Sequence, residues 1–327
     1  MRPLNPLYAA ATALRNAAYD KHLLAARKLP APVVSVGNLS TGGAGKTPLV
    51  LALTELLQHA GWLPVILSRG YRRSSRATLR VDPQGSAAEF GDEPLLLARA
   101  ANVPVYVGAD RHRAGGLAAQ EISLGPRHVF LLDDGFQHRR LARDVDIALL
   151  RAADLHDMGL PAGDLREPLA SLARANIVAM REDEADAVKE YLERGRHGAK
   201  TPAQWTVRRS LDVRDIAPGV AVAFAGIAHP QEFFRDLRNA GITLPSTLSF
   251  PDHYDYSFRD ITQILAGLRA AGTRTLLTTE KDLVRLSEQA RQALQAAADF
   301  RAVPLRTEIL DADACLAQLE LMIGDRQ

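Results

Sequence analysis

Eight consecutive residues, Ser40-Thr41-Gly42-Gly43-Ala44-Gly45-Lys46-Thr47, have the composition of a phosphate-binding loop. They follow an apolar run, Val33–Val36, and precede a helical stretch from Pro48 to His59. In that context the backbone N–H groups of Gly42, Gly43, Ala44 and Gly45, with the helix N-terminus behind them, can face phosphate oxygens. Lys46 then reaches the β- and γ-phosphates of ATP, and the Thr47 hydroxyl ligates Mg²⁺. The usual first glycine of such a loop is replaced by Ser40, but Gly42, Gly43 and Gly45 leave the loop conformationally free. The competing reading is a glycine-rich turn before a helix. The Lys-Thr pair at its end and the buried strand before it weigh against that.

Further along, Val129-Phe130-Leu131-Leu132 ends in Asp133-Asp134-Gly135. An apolar strand ending in acids is where phosphate-loop proteins hold their metal. Two adjacent carboxylates at such an edge repel one another unless a cation sits there. Which of the two touches the metal cannot be read from the residues. Asp92, in Gly91-Asp92-Glu93-Pro94, precedes the helical run Leu95–Ala100. It reads either as part of an acidic helix cap or as a general base that takes a proton from an acceptor hydroxyl. His253 lies in Asp252-His253-Tyr254-Asp255-Tyr256. It is either a structural histidine or a polarised side chain in a cleft. The basic string Ser68-Arg69-Gly70-Tyr71-Arg72-Arg73 directly follows a strand, where arginines can neutralise a phosphate, and Asp110-Arg111-His112-Arg113 is a second basic cluster. Both also fit a solvated surface. Gly163-Asp164-Leu165-Arg166-Glu167-Pro168 reads as a loop whose charges have no purpose in a core.

These residues need a scaffold, and the apolar pattern supplies one. Val33–Val36, Pro64–Leu67, Val103–Val107, Val129–Leu132, Ile147–Leu150 and Ile177–Met180 are near-continuous apolar runs separated by helical stretches. Such runs suit a mostly parallel sheet covered on both faces. A polar, basic stretch with Arg194, Arg196, His197, Lys200 and Pro202 reads as a boundary, after which Val220–Ala225, Thr275–Thr278 and Val303–Leu305 suggest a second α/β set. The expected class is therefore α/β: a phosphate-loop α/β/α domain over residues 31–205, and a smaller α/β domain over 206–327 that closes on the site. A helix over residues 1–30 precedes both. In that helix Leu4, Leu7, Ala11, Leu14 and Ala18 fall on one stripe, while Arg2, Arg15, Lys21, Arg27 and Lys28 face a single acid, Asp20. The segment reads as an amphipathic helix for an anionic membrane surface, or as a helix packed on the protein's own core.

The bulk properties bound the answer. A chain of 327 residues, 47% hydrophobic and 24% charged, has the balance of a folded protein. Its net charge of +2 gives no reason to expect a nucleic-acid partner. One cysteine, Cys315, cannot form an internal disulfide, so a reducing compartment is expected. No apolar run approaches the roughly 18 residues needed to span a bilayer.

Taken in order, Gly37-Asn38-Leu39 leading into Gly42–Pro48, Ser68–Tyr71, Gly91–Pro94, Asp110-Arg111, Leu132–His138, Gly163–Pro168, Asp252–Tyr254 and Thr279-Glu280-Lys281-Asp282 make the chain resemble a known family. This is the tetraacyldisaccharide 4'-kinases of lipid A biosynthesis. The strings Asp133-Asp134-Gly135-Phe136-Gln137-His138 and Gly163–Pro168 are the most specific of these. The resemblance implies transfer of the γ-phosphate of ATP to the 4'-hydroxyl of a tetraacylated glucosamine disaccharide 1-phosphate, giving lipid IVA. It implies a peripheral enzyme, expected to be a monomer, on the cytoplasmic face of the inner membrane. It also implies Asp92 as the base and His253 as the residue that orients it. Glu167 would join Thr47 and the Asp133–Asp134 pair around Mg²⁺, and Arg111 would face a phosphate in the closed state. The rival readings are a kinase of another small acceptor and a nucleotide-driven switch. A metal chaperone is disfavoured by the single cysteine. No role for Thr279–Asp282 can be read from the residues.

Overall fold

All six apolar runs between residues 33 and 180 form strands of one sheet. The computed structural model describes residues 5–43, 45–195 and 201–324. Ala44 of the loop, Arg2 and Leu4 of the first helix, and Arg196, His197 and Lys200 of the expected boundary lie outside the described residues.

The chain begins with α1 (Asn5–Asp20), β1 (Val33–Asn38), α2 (Lys46–His59), β2 (Leu63–Ser68), β3 (Leu79–Arg80), α3 (Ala87–Phe90), α4 (Asp92–Ala100) and β4 (Val105–Val107). It continues through α5 (Arg111–Glu121), β5 (His128–Asp133), β6 (Val145–Leu149), β7 (Ile177–Arg181), α6 (Ala185–Arg194) and β8 (Ala203–Leu211). The remainder is β9 (Val220–Ala225), α7 (Pro230–Asn239), β10 (Thr243–Ser249), α8 (Phe258–Ala270), β11 (Thr275–Thr279), α9 (Glu280–Arg285), α10 (Glu288–Ala297), β12 (Asp299–Val303), β13 (Leu305–Ile309) and α11 (Ala312–Gly324).

The first sheet runs β13-β8-β7-β6-β1-β5-β2-β4-β3 and is parallel except for the edge strands β13 and β3. β1 is buried along its whole length, which suits its valines, and it lies between β5 and β6. Strand order reverses there, and the crevice beyond the C-terminal ends of the strands is where such sheets bind ligands. Register places Val36 beside Asp133, so the phosphate loop and the acidic strand end leave the sheet at the same edge. α2 follows with Pro48 in its first turn, where the missing N–H costs nothing. Its Leu49, Leu53 and Leu57 are fully buried, each stabilising by about 1.5–3 kcal/mol.

The second sheet runs β10-β9-β11-β12 and is wholly parallel, with α7 against one face and α8 and α10 against the other. The two sheets divide the chain differently from the expected break at residue 205/206. β8 spans that position and pairs with β7 in the first sheet. β12 and β13 are separated by Pro304 alone, so the expected strand Val303–Leu305 is instead the crossing between the sheets. β13 and α11 then return to the first unit, where Cys315, Leu319 and Ile323 join the same core as Leu49 and Leu53. The chain thus crosses between the sheets at residues 212–219 and again at Pro304. The crossings touch, since Asp212 N donates to Pro304 O at 2.8 Å.

Candidate active site

A cavity of about 540 Å³ opens between the two sheets, lined by the phosphate loop, the Ser68–Arg72 string, Asp133, Asp134 and residues of the second unit. The loop owes its shape to backbone freedom at Gly42 (φ 86°) and Gly45 (φ 90°), a region that side chains disfavour. Ser40, which replaces the usual glycine, is fully buried, and its hydroxyl accepts from Asn38 Nδ2 at 3.1 Å and Arg151 Nη2 at 3.4 Å. The Gly163–Pro168 string, without evident purpose in the sequence, is the strut of this loop. Thr41 binds Asp164 through both its backbone N–H and its hydroxyl, and Arg166 N donates to Leu39 O at 2.7 Å.

Lys46 projects into the cavity, donating to Asn38 Oδ1 at 3.1 Å and lying 3.5 Å from Asp134 Oδ1. Arg166 binds both oxygens of Asp134, at 3.0 and 2.9 Å. Burial pushes the Asp134 carboxyl up, but Lys46 and Arg166 outweigh it and hold it far below the usual range. Asp133 differs. Burial, together with the charges of Glu93 and Asp134, pushes it up to about 7. Its Oδ2 accepts from Ser68 at 3.0 Å, while its Oδ1 is buried without a partner. An orphaned carboxylate oxygen in this edge position fits a divalent cation. Thr47, also buried, lines the same cavity. Among the described residues no three His, Cys, Asp or Glu side chains converge on one point. A cation here would therefore draw most of its ligands from phosphate and water, as Mg²⁺ does in nucleotide sites.

Two expected members are elsewhere. Glu167 lies with its side chain fully buried, pairing with Arg174 at 2.8 Å and accepting from Asn16 of α1 at 2.6 Å. It lines a separate groove with Tyr8 and Thr12 of α1, so it does not join Thr47 and Asp133. Successive residues of an extended segment point to opposite sides, and Arg166 takes the side facing the phosphate loop. Arg111 is buried at the start of α5, donates to Ala109 O at 2.9 Å and is not among the cavity-lining residues. Burial and the charge of Arg69 lower it to about 10 despite nearby Asp134 and Asp133. Arg69 and Arg72 of the other basic string do line the cavity.

Asp92 and His253, 161 residues apart, meet beside the cavity, which His253 and Glu93 line: His253 Nδ1 lies 2.8 Å from Asp92 Oδ2. Gly91 precedes α4 at φ 90°, packed so tightly that a Cβ would come within 3.1 Å of Gly70 Cα. It starts the helix without a side-chain cap, and Asp92 is thereby freed to reach across the cleft. His253 sits in left-handed backbone (φ 58°), a cost of about 1–3 kcal/mol for a non-glycine residue. The Asp252 carboxylate accepts its N–H at 3.0 Å, and the Tyr71 ring stands edge-on to it at 5.6 Å.

The sequence reading missed a neighbour of this pair, Arg285, and gave no role to Lys281. Arg285 Nε donates to Asp92 Oδ2 at 2.5 Å, and Lys281 Nζ lies 2.8 Å from Glu93 Oε1. The available signal was two cations spaced i,i+4 on a short helix, matching two consecutive acids. Asp282, between them, is buried and accepts from Gly226 N, Tyr256 and Thr279.

A family model described as tetraacyldisaccharide-1-P 4'-kinase matches residues 1–323. The chain belongs to this family. A tetraacyldisaccharide 4'-kinase of Koribacter versatilis is 42% identical over 337 residues, covering 100% of both chains. That of Aquifex aeolicus is 40% identical over 294 residues, covering 87% of this chain and 88% of its own. The crystal structure of LpxK from Aquifex aeolicus in complex with ATP superposes with a TM-score of 0.77 at 34% identity, covering 98% of each chain. The resemblance read from the motifs is thus a family relationship over nearly the whole chain, and it extends past the last of those motifs, which ends at Asp282, to β13 and α11.

Proposed function

We propose that this chain is the ATP-dependent kinase of lipid A biosynthesis that phosphorylates the 4'-hydroxyl of a tetraacylated glucosamine disaccharide 1-phosphate. The observation that carries this reading is the Asp92–His253 pair beside a phosphate-loop cavity that His253 lines, at 2.8 Å and from different units. A sugar hydroxyl is a poor nucleophile and gains from a carboxylate that takes its proton as the O–P bond forms. Asp92 accepts that proton, the bond from the γ-phosphorus to the bridging oxygen breaks, and ADP leaves. His253 orients the carboxylate. Lys46, with Arg69 and Arg72 in the cavity wall, offsets the charge of the transferring group. Thr47 and the unpartnered Oδ1 of Asp133 would hold a Mg²⁺ ion, which would supply further neutralisation of the phosphates. Because Asp92 and His253 come from different units, the base is complete only when the cleft closes, which excludes the water that would hydrolyse ATP. The decisive experiment incubates the protein with γ-labelled ATP and the acylated disaccharide. Label in the lipid at the 4'-position supports the reading. ATP loss without labelled lipid favours the switch.

The membrane role belongs to α1 and the residues after it. Among the described residues no helix is long and apolar enough to cross a membrane. α1 is seated by polar contacts: Asn16 on Glu167, Arg139 on Asn16 O and Asp20, and Tyr8 on Arg166 O. Leu14 and Leu23 remain 74% and 75% exposed, and Arg15, Lys21, Arg27 and Lys28 are exposed beside them. This favours an interfacial helix over one packed on the core, and with it a peripheral enzyme on the cytoplasmic face of the inner membrane. Changing Leu14, Leu23 and Leu24 together to glutamate is expected to weaken sedimentation with anionic liposomes by about 10-fold or more, with the melting temperature unchanged. Deleting residues 1–28 should abolish it, and salt should weaken binding of the intact chain. Equal binding by all three chains would refute the membrane role.

A further inference from the structure

The Asp92 carboxylate is held from two sides. Its Oδ2 takes both the His253 Nδ1 contact at 2.8 Å and the Arg285 Nε hydrogen bond at 2.5 Å. Among the described residues Oδ1 has no hydrogen-bond partner. Arg285 closes α9, and its side chain is only 2% exposed. Its guanidinium is itself fixed, with Nη1 donating to Gly226 O at 2.5 Å and to Asp282 Oδ1 at 3.3 Å. A planar fork braced on one edge presents its other donor in one direction, and little freedom is lost when that donor is used. One turn earlier Lys281 meets Glu93, so two consecutive acids of α4 dock on two cations of α9.

We propose that Arg285 is a positioning residue for the phosphoryl transfer. It fixes the Asp92 carboxylate by Oδ2 so that Oδ1 is left to meet the acceptor hydroxyl, and it does so only while α9 is docked on α4. This rests on Asp92 being the base. An ion pair that merely joins the two units would hold them together equally well without reference to which oxygen is free, and the two roles differ in measurable ways.

Burial pushes the Asp92 carboxyl up, but the hydrogen bond from His253 and the charge of Arg285 prevail and leave it lowered. The other charged groups around the pair are Asp282, 3.3 Å from Arg285, Asp252, 3.9 Å from Arg285 and 4.0 Å from His253, and the Glu93–Lys281 pair. Removing the Arg285 cation lets the base protonate at higher pH. Activity requires the ionised base, so the acid limb of the kcat/KM profile moves up.

The test measures transfer from ATP to the acylated disaccharide for Arg285→Met and Arg285→Lys, each alone and combined with Asp92→Asn. Arg285→Met is expected to lower kcat about 10²-fold with the KM for ATP little changed, and to move the acid limb to higher pH. Arg285→Lys keeps the charge and is the variant that tolerates the buried Asp282. A single ammonium cannot serve Asp92 and Gly226 together, so kcat should fall about 10-fold with the acid limb in place. In the Asp92→Asn background both costs should shrink to about 2-fold or less, because the group being positioned is gone. Arg285→Lys with unaltered kcat, or a cost that is the same in both backgrounds, overturns the proposal. Unaltered kcat in Asp92→Asn itself rejects the base, and is told apart because it needs no change at Arg285.

Discussion

Lys46→Ala is expected to abolish measurable phosphate transfer, a loss of about 10³-fold or more. The ammonium lies inside the cavity, held by Asn38 Oδ1 at 3.1 Å and facing Asp134 at 3.5 Å. It is therefore fixed before substrate arrives and requires no reorganisation as charge builds on the transferring group. A methyl in its place leaves the β- and γ-phosphates facing Asp133 and Asp134 with less counter-charge, so ATP binding should weaken as well. The fold should survive, because Asp134 keeps its bidentate bond to Arg166 and α2 keeps its buried leucines. The comparison is a transfer assay beside a circular dichroism spectrum. Near-normal turnover by a folded variant would sink the phosphate-loop assignment.

Asp92→Asn should lower kcat by about 10²-fold or more while leaving the KM for ATP nearly unchanged. The amide matches the carboxylate in shape but cannot take a proton. The rival role, a helix cap, makes the opposite forecast: a lower melting temperature and normal kcat. Geometry separates them. Gly91 occupies the cap position, and the Asp92 side chain is turned to His253 and Arg285, both from the second unit. His253→Ala should also reduce kcat, and by less in the Asp92→Asn chain than in the parent, because the two act as one unit. Strict additivity would show that His253 works separately.

Consecutive residues are enough to specify a phosphate loop. Its conformation depends on local backbone freedom at Gly42 and Gly45, its charge on Lys46, and its frame on the valines of β1. All lie within fifteen residues of one another, from Val33 to Thr47. The same holds for Asp133, whose strand announces itself by an unbroken apolar run. For these, and for the parallel sheet that carries them, the sequence was sufficient.

Where local pattern and tertiary role diverge, it was not. β8 reads as polar because Arg208 and Arg209 interrupt it, yet it pairs with β7 on one side and β13 on the other. Burial therefore alternates along it where a central parallel strand would be apolar throughout. The short run at Val303–Leu305 hides a change of sheet at Pro304 that no periodicity can signal. Glu167 and Arg166 are neighbours in the chain, but opposite orientation sends one to α1 and the other to the phosphate loop. Arg285 shows the limit most clearly. Its partner Asp92 is 193 residues away, on a helix of the other sheet. A charge pair at that separation leaves no trace in local composition, because what brings its members together is the docking of α9 on α4. Sequence alone determined the phosphate loop and named Asp92 and His253; only the tertiary structure brought them to 2.8 Å and set Arg285 against the same carboxylate.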